Sequence, residues 1–156
     1  MTPTGERMIA HFEGMVLSVY LDSHGNPTAG MGHLLSKSEQ VQYPVGTPIS
    51  REKAAEWFEQ DAQWVDAAIA RRVSIYLNEN QRAALESLVF NCGAGILTGR
   101  APKLVAALNA GHFSTAAREF LDICNAVDAK TGKRVRDNGL AKRRKEESEL
   151  FLRPVA

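Results

Sequence analysis

Cysteine is scarce in this sequence, and long hydrophobic runs are absent. The 156 residues include only Cys92 and Cys124, too few for a disulfide framework to hold the fold. Both fall on the apolar side of a helical pattern, so we expect buried, free thiols. No apolar stretch is long enough to cross a bilayer, and Glu6, Arg7 and His11 interrupt the apolar residues near the N-terminus. We therefore expect no signal peptide and no membrane insertion, and a protein made and kept in a cytoplasm.

The chain also lacks a strong overall charge, although its charges are unevenly distributed. Residues 1–70 carry nine acids and four bases, a net −5, whereas residues 71–156 carry nine acids and fifteen bases, a net +6. A basic half can attract an anionic cell wall or nucleic acid, or it can simply be a solvated helix surface. We interpret the run Lys142-Arg143-Arg144-Lys145 first as a solvated helix face, then as a wall-attracting patch, and only last as a nucleic-acid site.

Metal-binding and phosphate-binding patterns are missing as well. The four histidines are scattered, and His33 has no second ligand at a suitable spacing, so we predict no metal site and a structural role for His33. Gly30-Met31-Gly32 lacks the third glycine and the following lysine of a phosphate-binding loop. We therefore expect no cofactor.

What the sequence does contain is a compact set of reactive groups between Glu13 and His33. Ser23-His24-Gly25-Asn26 has the composition of a tight turn, which predicts a hairpin of residues 16–22 with residues 28–33. Asp22 and Thr28 would then lie on facing strands near the turn, with Glu13 brought in from the preceding segment. Two carboxylates and a hydroxyl in one cleft suit glycoside hydrolysis, which needs an acid for the leaving oxygen and a carboxylate to activate water.

Taken singly, each of these residues has an ordinary explanation. Glu13 can be a surface charge at a helix end, Asp22 a turn-forming residue and Thr28 a β-branched strand residue. The complete string is more specific. Glu-Gly-x-x-Leu-x-x-Tyr-x-Asp-x-x-Gly-x-x-Thr-x-Gly-x-Gly-His, from Glu13 to His33, resembles the catalytic region of the phage-type lysozymes, the muramidase endolysins of bacteriophages.

Two further strings carry the same resemblance through the second half of the chain. They run from Gln81 to Gly93, with Asn91 near the end, and from Gly139 to Phe151. The segment 125–138 departs from the pattern, because many members have a shorter loop with glycines and a tryptophan there. The role of this segment is therefore left open.

The resemblance implies an endolysin that hydrolyses the β-1,4 bond between N-acetylmuramic acid and N-acetylglucosamine in peptidoglycan. Glu13 would protonate the leaving oxygen, while Asp22 and Thr28 would hold and activate the attacking water, with inversion at the anomeric carbon. Asn91, at a helix end, can be a simple cap, whereas the resemblance implies that it contacts sugar. His33 would pair with an acid of the long helix, for which Asp61 is the candidate.

The expected fold is mainly α, of the α+β lysozyme-like kind, as one domain spanning 1–156. An N-terminal lobe with the hairpin, about 1–50, would be joined by a helix, about 51–73, to a helical lobe, about 78–156. Ser50 caps the long helix in this prediction, Asn78 and Gln81 form a capping box, and Pro102 opens a further helix.

Several local features of the chain are predicted less directly from its pattern. Thr4 is expected to cap a helix over 6–12, and Ser114 to cap a helix ahead of Cys124. Residues 34–47 and 125–139 are predicted as loops, the former with one helical turn. A last helix is expected over 140–152, stopped by Pro154.

Two rival functions remain at this stage. A lytic transglycosylase also needs the glutamate but releases an anhydro sugar, and Asp22 with Thr28 argues against it. The other is a non-catalytic wall-binding module on a hydrolase scaffold that has lost its activity. The presence of Glu13, Asp22 and Thr28 together argues against that loss. As an endolysin, the protein would be a monomer in the host bacterial cytoplasm, and a separate membrane-permeabilising protein would release it to act on glycan strands in the periplasm.

Overall fold

The computed structural model describes all residues, 1–156, and is mainly helical with two small antiparallel sheets. The helices are α1 (Pro3–Glu13), α2 (Lys37–Gln42), α3 (Arg51–Arg72), α4 (Glu79–Cys92), α5 (Pro102–Asn109), α6 (Phe113–Leu121) and α7 (Asn138–Leu152). The strands are β1 (Val16–Leu21), β2 (Pro27–Gly30), β3 (His33–Leu34), β4 (Asn125–Val127) and β5 (Arg134–Arg136). The predicted fold class is confirmed.

The chain divides into two compact units. One consists of Ile9–Trp64, and the other of Met1–Met8 together with Val65–Ala156, so the division falls inside α1 and inside α3. The lobe boundaries expected from the sequence, near residues 50 and 78, stay a prediction. No helix is both long and apolar enough to cross a membrane.

The unit Ile9–Trp64 is built on the sheet β1-β2-β3, in which both pairs are antiparallel. Thr28 pairs with Tyr20 on one side and with Leu34 on the other, so the predicted hairpin is confirmed and β3 is an addition to it. Its core consists of Val19, Ala29, Leu35, Ile49, Ala54 and Trp57. Ser50 caps α3 as predicted, since its hydroxyl accepts a hydrogen bond from the amide of Lys53 at 3.1 Å.

Two predictions in the first fifty residues need correction. The helical turn expected within 34–47 is present but longer: α2 has six residues, because Ser36 and Glu39 form a capping box that starts a helix within a polar stretch. Helix α1 begins at Pro3, and the hydroxyl of Thr2 accepts a hydrogen bond from the amide of Gly5 at 3.0 Å. Thr2 therefore takes the capping role that the sequence assigned to Thr4.

The larger unit packs α4 to α7 around an apolar core. Its fully buried members include Val65, Leu85, Leu88, Leu104, Phe120 and Phe151. The capping box of Asn78 and Gln81 is confirmed, as is Pro102 in the first turn of α5. The cap at Ser114 is wrong, because α6 begins one residue earlier, at Phe113, and has no side-chain cap.

The predicted loop 125–139 contains the short hairpin β4–β5 instead. Its turn is closed by Asp128, whose Oδ1 accepts hydrogen bonds from the amides of Lys130 and Thr131 at 2.7 and 3.0 Å. Cys124, just before β4, is buried as expected, whereas Cys92 at the end of α4 is only half-buried. Both thiols are free.

The run at residues 142–145 is not a uniform solvated face. Lys142 and Lys145 are exposed, but Arg143 and Arg144 are buried against Glu147. The interpretation as a solvated face is wrong for the two arginines, because successive helix residues point in different directions and these two face the core. Only the lysines are left as surface charges of this run.

Candidate active site

Asp22 lies in the turn between β1 and β2, where backbone groups hold its carboxylate. Oδ1 accepts hydrogen bonds from the amides of His24 and Asn26, each at 2.8 Å, and the side-chain amide of Asn26 lies 3.4 Å from Oδ2. The hydrogen bond from the amide of Asn26 lowers the pKa of Asp22 below its ordinary value; desolvation acts in the opposite direction, and the amide of His24 and the side chain of Asn26 lower the pKa further. The turn therefore presents an ionised carboxylate.

Thr28 is joined to Asp22 through one shared acceptor. The carbonyl oxygen of Asn26 accepts a hydrogen bond from the amide of Asp22 and another from Oγ1 of Thr28, both at 2.9 Å. Thr28 is only 3% exposed, within β2. Because the hydroxyl proton is committed to this carbonyl, Oγ1 offers only its lone pairs to any further partner.

Glu13 is the last residue of α1 and is exposed. Gly14 follows with a φ of 69°, the left-handed conformation that ends a helix and turns the chain towards β1. The carboxylate extends towards the turn between β2 and β3, since a methyl group on Gly32 would lie 3.9 Å from Glu13 Oε2. Glu13 and Asp22 thus belong to opposite ends of the β1–β2 hairpin.

His33 lies between two carboxylates in the same unit. Its Nδ1 is 2.8 Å from Oδ2 of Asp61, its Nε2 is 3.2 Å from Oε2 of Glu39, and the ring stacks on Trp57 with centroids 4.5 Å apart. The structure therefore brings His33 and Asp61 together, and it adds a second acid that sequence reasoning missed. A doubly protonated ring donates to both acids, whereas a neutral ring donates to only one.

Glu39 could have been found from its local signal, Ser36-x-x-Glu39, which is a capping-box pattern. Burial acts to raise the pKa of Glu39, but hydrogen bonds from Ser36 and the neighbouring His33 outweigh it and hold that pKa below its ordinary value. An ionised Glu39 fixes both the start of α2 and one edge of the His33 ring. The structural role of His33 and Asp61 stays a prediction.

Asn91 belongs to the larger unit, near the C-terminal end of α4. Its Oδ1 accepts a hydrogen bond from Arg144 at 2.9 Å, and its side chain is otherwise exposed. The guanidinium of Arg144 thus orients the Asn91 side chain. The N–H groups of the Asn91 side-chain amide stay available to a partner. Whether Asn91 contacts sugar stays a prediction.

The arrangement in the smaller unit supports acid–base chemistry. An exposed carboxyl group at one end of a hairpin can deliver a proton, and an ionised carboxylate beside a lone-pair hydroxyl at the other end can accept hydrogen bonds from a water molecule. Nowhere do three or more His, Cys, Asp or Glu side chains form a group that could hold a metal ion.

Comparison with known proteins gives consistent matches over most of the chain. The family model described as phage lysozyme matches residues 10–147. The endolysin of Salmonella phage P22 is 38% identical over 140 residues, covering 90% of this chain and 89% of its own. The endolysin of Acyrthosiphon pisum secondary endosymbiont phage 1 is 33% identical over 144 residues, covering 92% of each chain.

A solved structure agrees with these sequence matches. The endolysin from Escherichia coli O157:H7 phage FAHEc1 superposes with a TM-score of 0.84 at 28% identity, over 97% of this chain and 92% of that one.

Proposed function

This chain belongs to the phage lysozyme family, and from that premise we propose that Glu13, Asp22 and Thr28 carry out its reaction. The protein is a muramidase-type glycoside hydrolase, an endolysin that hydrolyses peptidoglycan. The bond cleaved is proposed to be the β-1,4 link between N-acetylmuramic acid and N-acetylglucosamine.

The observation that carries the proposed roles is the carbonyl of Asn26, which holds Asp22 and Thr28 together. The Asp22 carboxylate accepts one hydrogen of a water molecule, and Oγ1 of Thr28 accepts a hydrogen bond from the other. With both hydrogens engaged, a lone pair of the water points away from the protein, towards the anomeric carbon of a bound sugar. Thr28 positions the water, and Asp22 takes its proton as the bond to carbon forms.

Glu13 supplies the proton that leaves with the other sugar. As the glycosidic C–O bond breaks, the Glu13 proton passes to the departing oxygen, so a neutral hydroxyl leaves rather than an alkoxide. The reaction ends with Glu13 ionised and Asp22 protonated, and exchange with solvent resets both.

We propose that the displacement is direct and inverts the anomeric configuration. Support comes from the placement of Glu13 before β1 and of Asp22 in the turn after β1, at opposite ends of the hairpin and not side by side. Inverting glycosidases separate their carboxyl groups by about 6.5–9.5 Å, against about 5–5.5 Å in retaining enzymes. Proton NMR of a soluble glycan during the first minutes of cleavage tests this, since the α-anomer must appear before the β-anomer.

Asp22→Asn should remove turnover while leaving the turn intact. The asparagine oxygen can still accept hydrogen bonds from the backbone amides of His24 and Asn26, but the neutral side chain cannot take a proton from water. We expect kcat to fall by about 10²–10⁴-fold with KM nearly unchanged. Because the pKa of Asp22 is lowered, kcat/KM of the unaltered enzyme should fall only at a pH below the usual range of an aspartate. A fall set by Asp22 within or above that usual range contradicts this assignment.

Thr28→Val tests the effect of removing the Thr28 hydroxyl while the side-chain volume stays nearly the same. Valine fills the same buried space but offers no lone pair to the water, so we expect kcat to fall on the order of tenfold to a hundredfold. Thr28→Ser is the matched control, because it keeps Oγ and should retain most activity. Equal activities of the valine and serine variants would show that the hydroxyl does not hold the water.

The lytic transglycosylase and the non-catalytic module are not favoured by the family matches. Product analysis separates the two enzymes chemically. Hydrolysis leaves reducing N-acetylmuramic acid ends, whereas transglycosylation leaves 1,6-anhydro ends. Mass spectrometry of digested peptidoglycan distinguishes these by one molecule of water.

We also propose the cellular route of the enzyme. A monomer made in the host cytoplasm would reach its substrate only after a separate protein permeabilises the inner membrane, and it would then act on the wall in the periplasm. That the enzyme acts on the cell wall is supported by the substrate of the family. The proposed passage through the inner membrane is tested by the timing of lysis with and without the permeabilising protein.

A further inference from the structure

The two carboxylate oxygens of Asp22 have unequal surroundings. Oδ1 accepts two hydrogen bonds, from the backbone amides of His24 and Asn26 at 2.8 Å each. Oδ2 has one partner, the side-chain Nδ2 of Asn26 at 3.4 Å. A carboxylate oxygen offers about two lone-pair sites, so the two backbone bonds fill Oδ1 and one site is left on Oδ2. Oδ2 is therefore the oxygen that can take a proton from water.

The contact between the Asn26 side chain and Oδ2 is not needed to close the turn. An aspartate closes such a turn by accepting hydrogen bonds from the backbone amides that follow it, which here go to Oδ1. The two backbones are joined as well, because the carbonyl of Asn26 accepts a hydrogen bond from the amide of Asp22 at 2.9 Å. The side-chain bond is additional to these, and it reaches the oxygen that is left for chemistry.

Asn26 is well suited to hold its side chain in one place. Pro27 follows it, and the residue before a proline is restricted towards extended conformations. The amide and the carbonyl of Asn26 are both engaged with Asp22, so the backbone from which the side chain leaves is fixed on both sides. Because the asparagine side chain is short, its amide loses little conformational freedom when it meets Oδ2.

We propose that Asn26 is a positioning residue of the reaction: its side-chain amide occupies one lone pair of Asp22 Oδ2 and leaves the other directed at the attacking water. The proposal rests on the proposed function, because it requires Asp22 to act as the base. As the water oxygen bonds to the anomeric carbon, an O–H bond of the water breaks and its proton passes to the open lone pair of Oδ2. The bond from Nδ2 keeps the carboxylate from rotating during this transfer.

The Asn26 side chain also affects the acidity of Asp22, which separates a role in the reaction from a merely structural one. The backbone amide of Asn26 is the main cause of the lowered pKa of Asp22; desolvation opposes it, and the side-chain amide of Asn26 lowers the pKa further by donating to the ionised form. Removing the side-chain donor alone should therefore raise the pKa of Asp22, while both backbone bonds to Oδ1 remain.

The test is Asn26→Ala in the full-length protein. The Asp22 carboxyl is titrated by ¹³C NMR without substrate, and kcat and KM on a soluble glycan are measured as functions of pH. We expect the NMR titration and the acid side of the kcat/KM profile to move to higher pH together. Near neutral pH we expect kcat to fall about three- to tenfold with KM unchanged, because the carboxylate is no longer oriented.

Asn26→Asp extends the series with a side chain of the same shape. It replaces the donor with a second carboxylate, whose negative charge should raise the pKa of Asp22 further than alanine does. The acid side of the profile should therefore lie lowest in the unaltered enzyme, higher in Asn26→Ala and highest in Asn26→Asp. If the alanine variant does not fold, the aspartate variant must still show the shift.

Ser23→Ala is the matched control, because Ser23 is an exposed residue of the same turn whose hydroxyl meets Nδ1 of His24, at 3.3 Å, and not Asp22. The charge of His24, which also lowers the pKa of Asp22, is kept in every variant. The control should leave the Asp22 titration unchanged and kcat within about twofold. The proposal is overturned if Asn26→Ala leaves either the titration or kcat unchanged, if KM changes instead of kcat, or if Ser23→Ala shifts the titration as much.

Failure of the catalytic roles would be visible separately. An NMR titration that moves while the acid side of kcat/KM stays in place contradicts the assignment of Asp22 as the base. An inactive Asp22→Asn variant beside an Asn26→Ala variant that behaves like the unaltered enzyme contradicts only the positioning role of Asn26.

Discussion

Glu13→Gln is expected to abolish lysis of peptidoglycan while leaving a folded protein. Glutamine keeps the size and polarity of the side chain at the end of α1, but it has no acidic proton to give to the departing oxygen. Without that proton the sugar must leave as an alkoxide, which is a much slower reaction. We therefore expect kcat to fall by about 10⁴-fold or more, the upper end of general acid catalysis. Binding of a glycan oligosaccharide should change little.

The measurement is the loss of turbidity of permeabilised bacteria, supported by release of reducing ends from purified walls. Glu6→Gln is the matched control, because it is an exposed glutamate of the same helix, in the first turn, away from the hairpin. It should lyse cells at the rate of the unaltered enzyme. A folded Glu13→Gln protein that retains more than about a tenth of the activity would remove Glu13 from the mechanism.

The largest effect on stability is expected from Glu147→Gln, on the buried face of α7. Glu147 is fully buried, with Oε1 3.1 Å from Nε of Arg143 and Oε2 2.7 Å from Nε of Arg144. The hydroxyl of Ser87 donates a further hydrogen bond at 2.6 Å. Removing the carboxylate leaves two buried guanidinium groups without an anion, because Arg143 and Arg144 are only 6% and 0% exposed.

Breaking a buried ion pair from one side costs about 3–5 kcal/mol, since the other charge stays desolvated. For a chain of this length that corresponds to a fall in melting temperature of roughly 6–20 °C. Calorimetry or circular dichroism at pH 7 measures it directly.

Glu149→Gln provides the matched control two residues further along α7. Its carboxylate is 4.0 Å from Nζ of Lys145, and both side chains are exposed. We expect its loss to change the free energy of unfolding by less than about 0.5 kcal/mol. Equal destabilisation by the two variants would mean that the buried network contributes no more than a surface pair.

Local chemistry accounts for the parts of the fold that could be predicted. The helix caps act within three or four residues of their own position, so their roles can be predicted from the sequence. They are Ser50, the pair Asn78 and Gln81, and Pro102. The β1–β2 hairpin is of the same kind, because a short turn forces its flanking strands to pair.

Predictions failed where a local pattern was weak or a distant partner decided the outcome. The capping box of Ser36 and Glu39 is a local signal, but the stretch after it is polar and has no apolar periodicity, so the sequence did not indicate the length of α2. Arg143 and Arg144 resemble surface charges in the sequence, but Glu147 of the same helix and Ser87 of α4 bind them in the interior. The hairpin β4–β5 depends on backbone bonds across a turn in a segment of mostly polar residues.

For the candidate site, the identity and order of the reactive groups could be predicted from the chain alone, because the spacing of residues 13, 22 and 28 carries the family pattern. The contacts that hold these groups in place appear only in the folded protein. The Asn26 carbonyl that ties Asp22 to Thr28 is a backbone atom, invisible to any pattern of side chains. Glu39 reaches His33 only because β3 and α2 fold beside one another. Such contacts depend on distances in space, and spacing along a chain does not determine those.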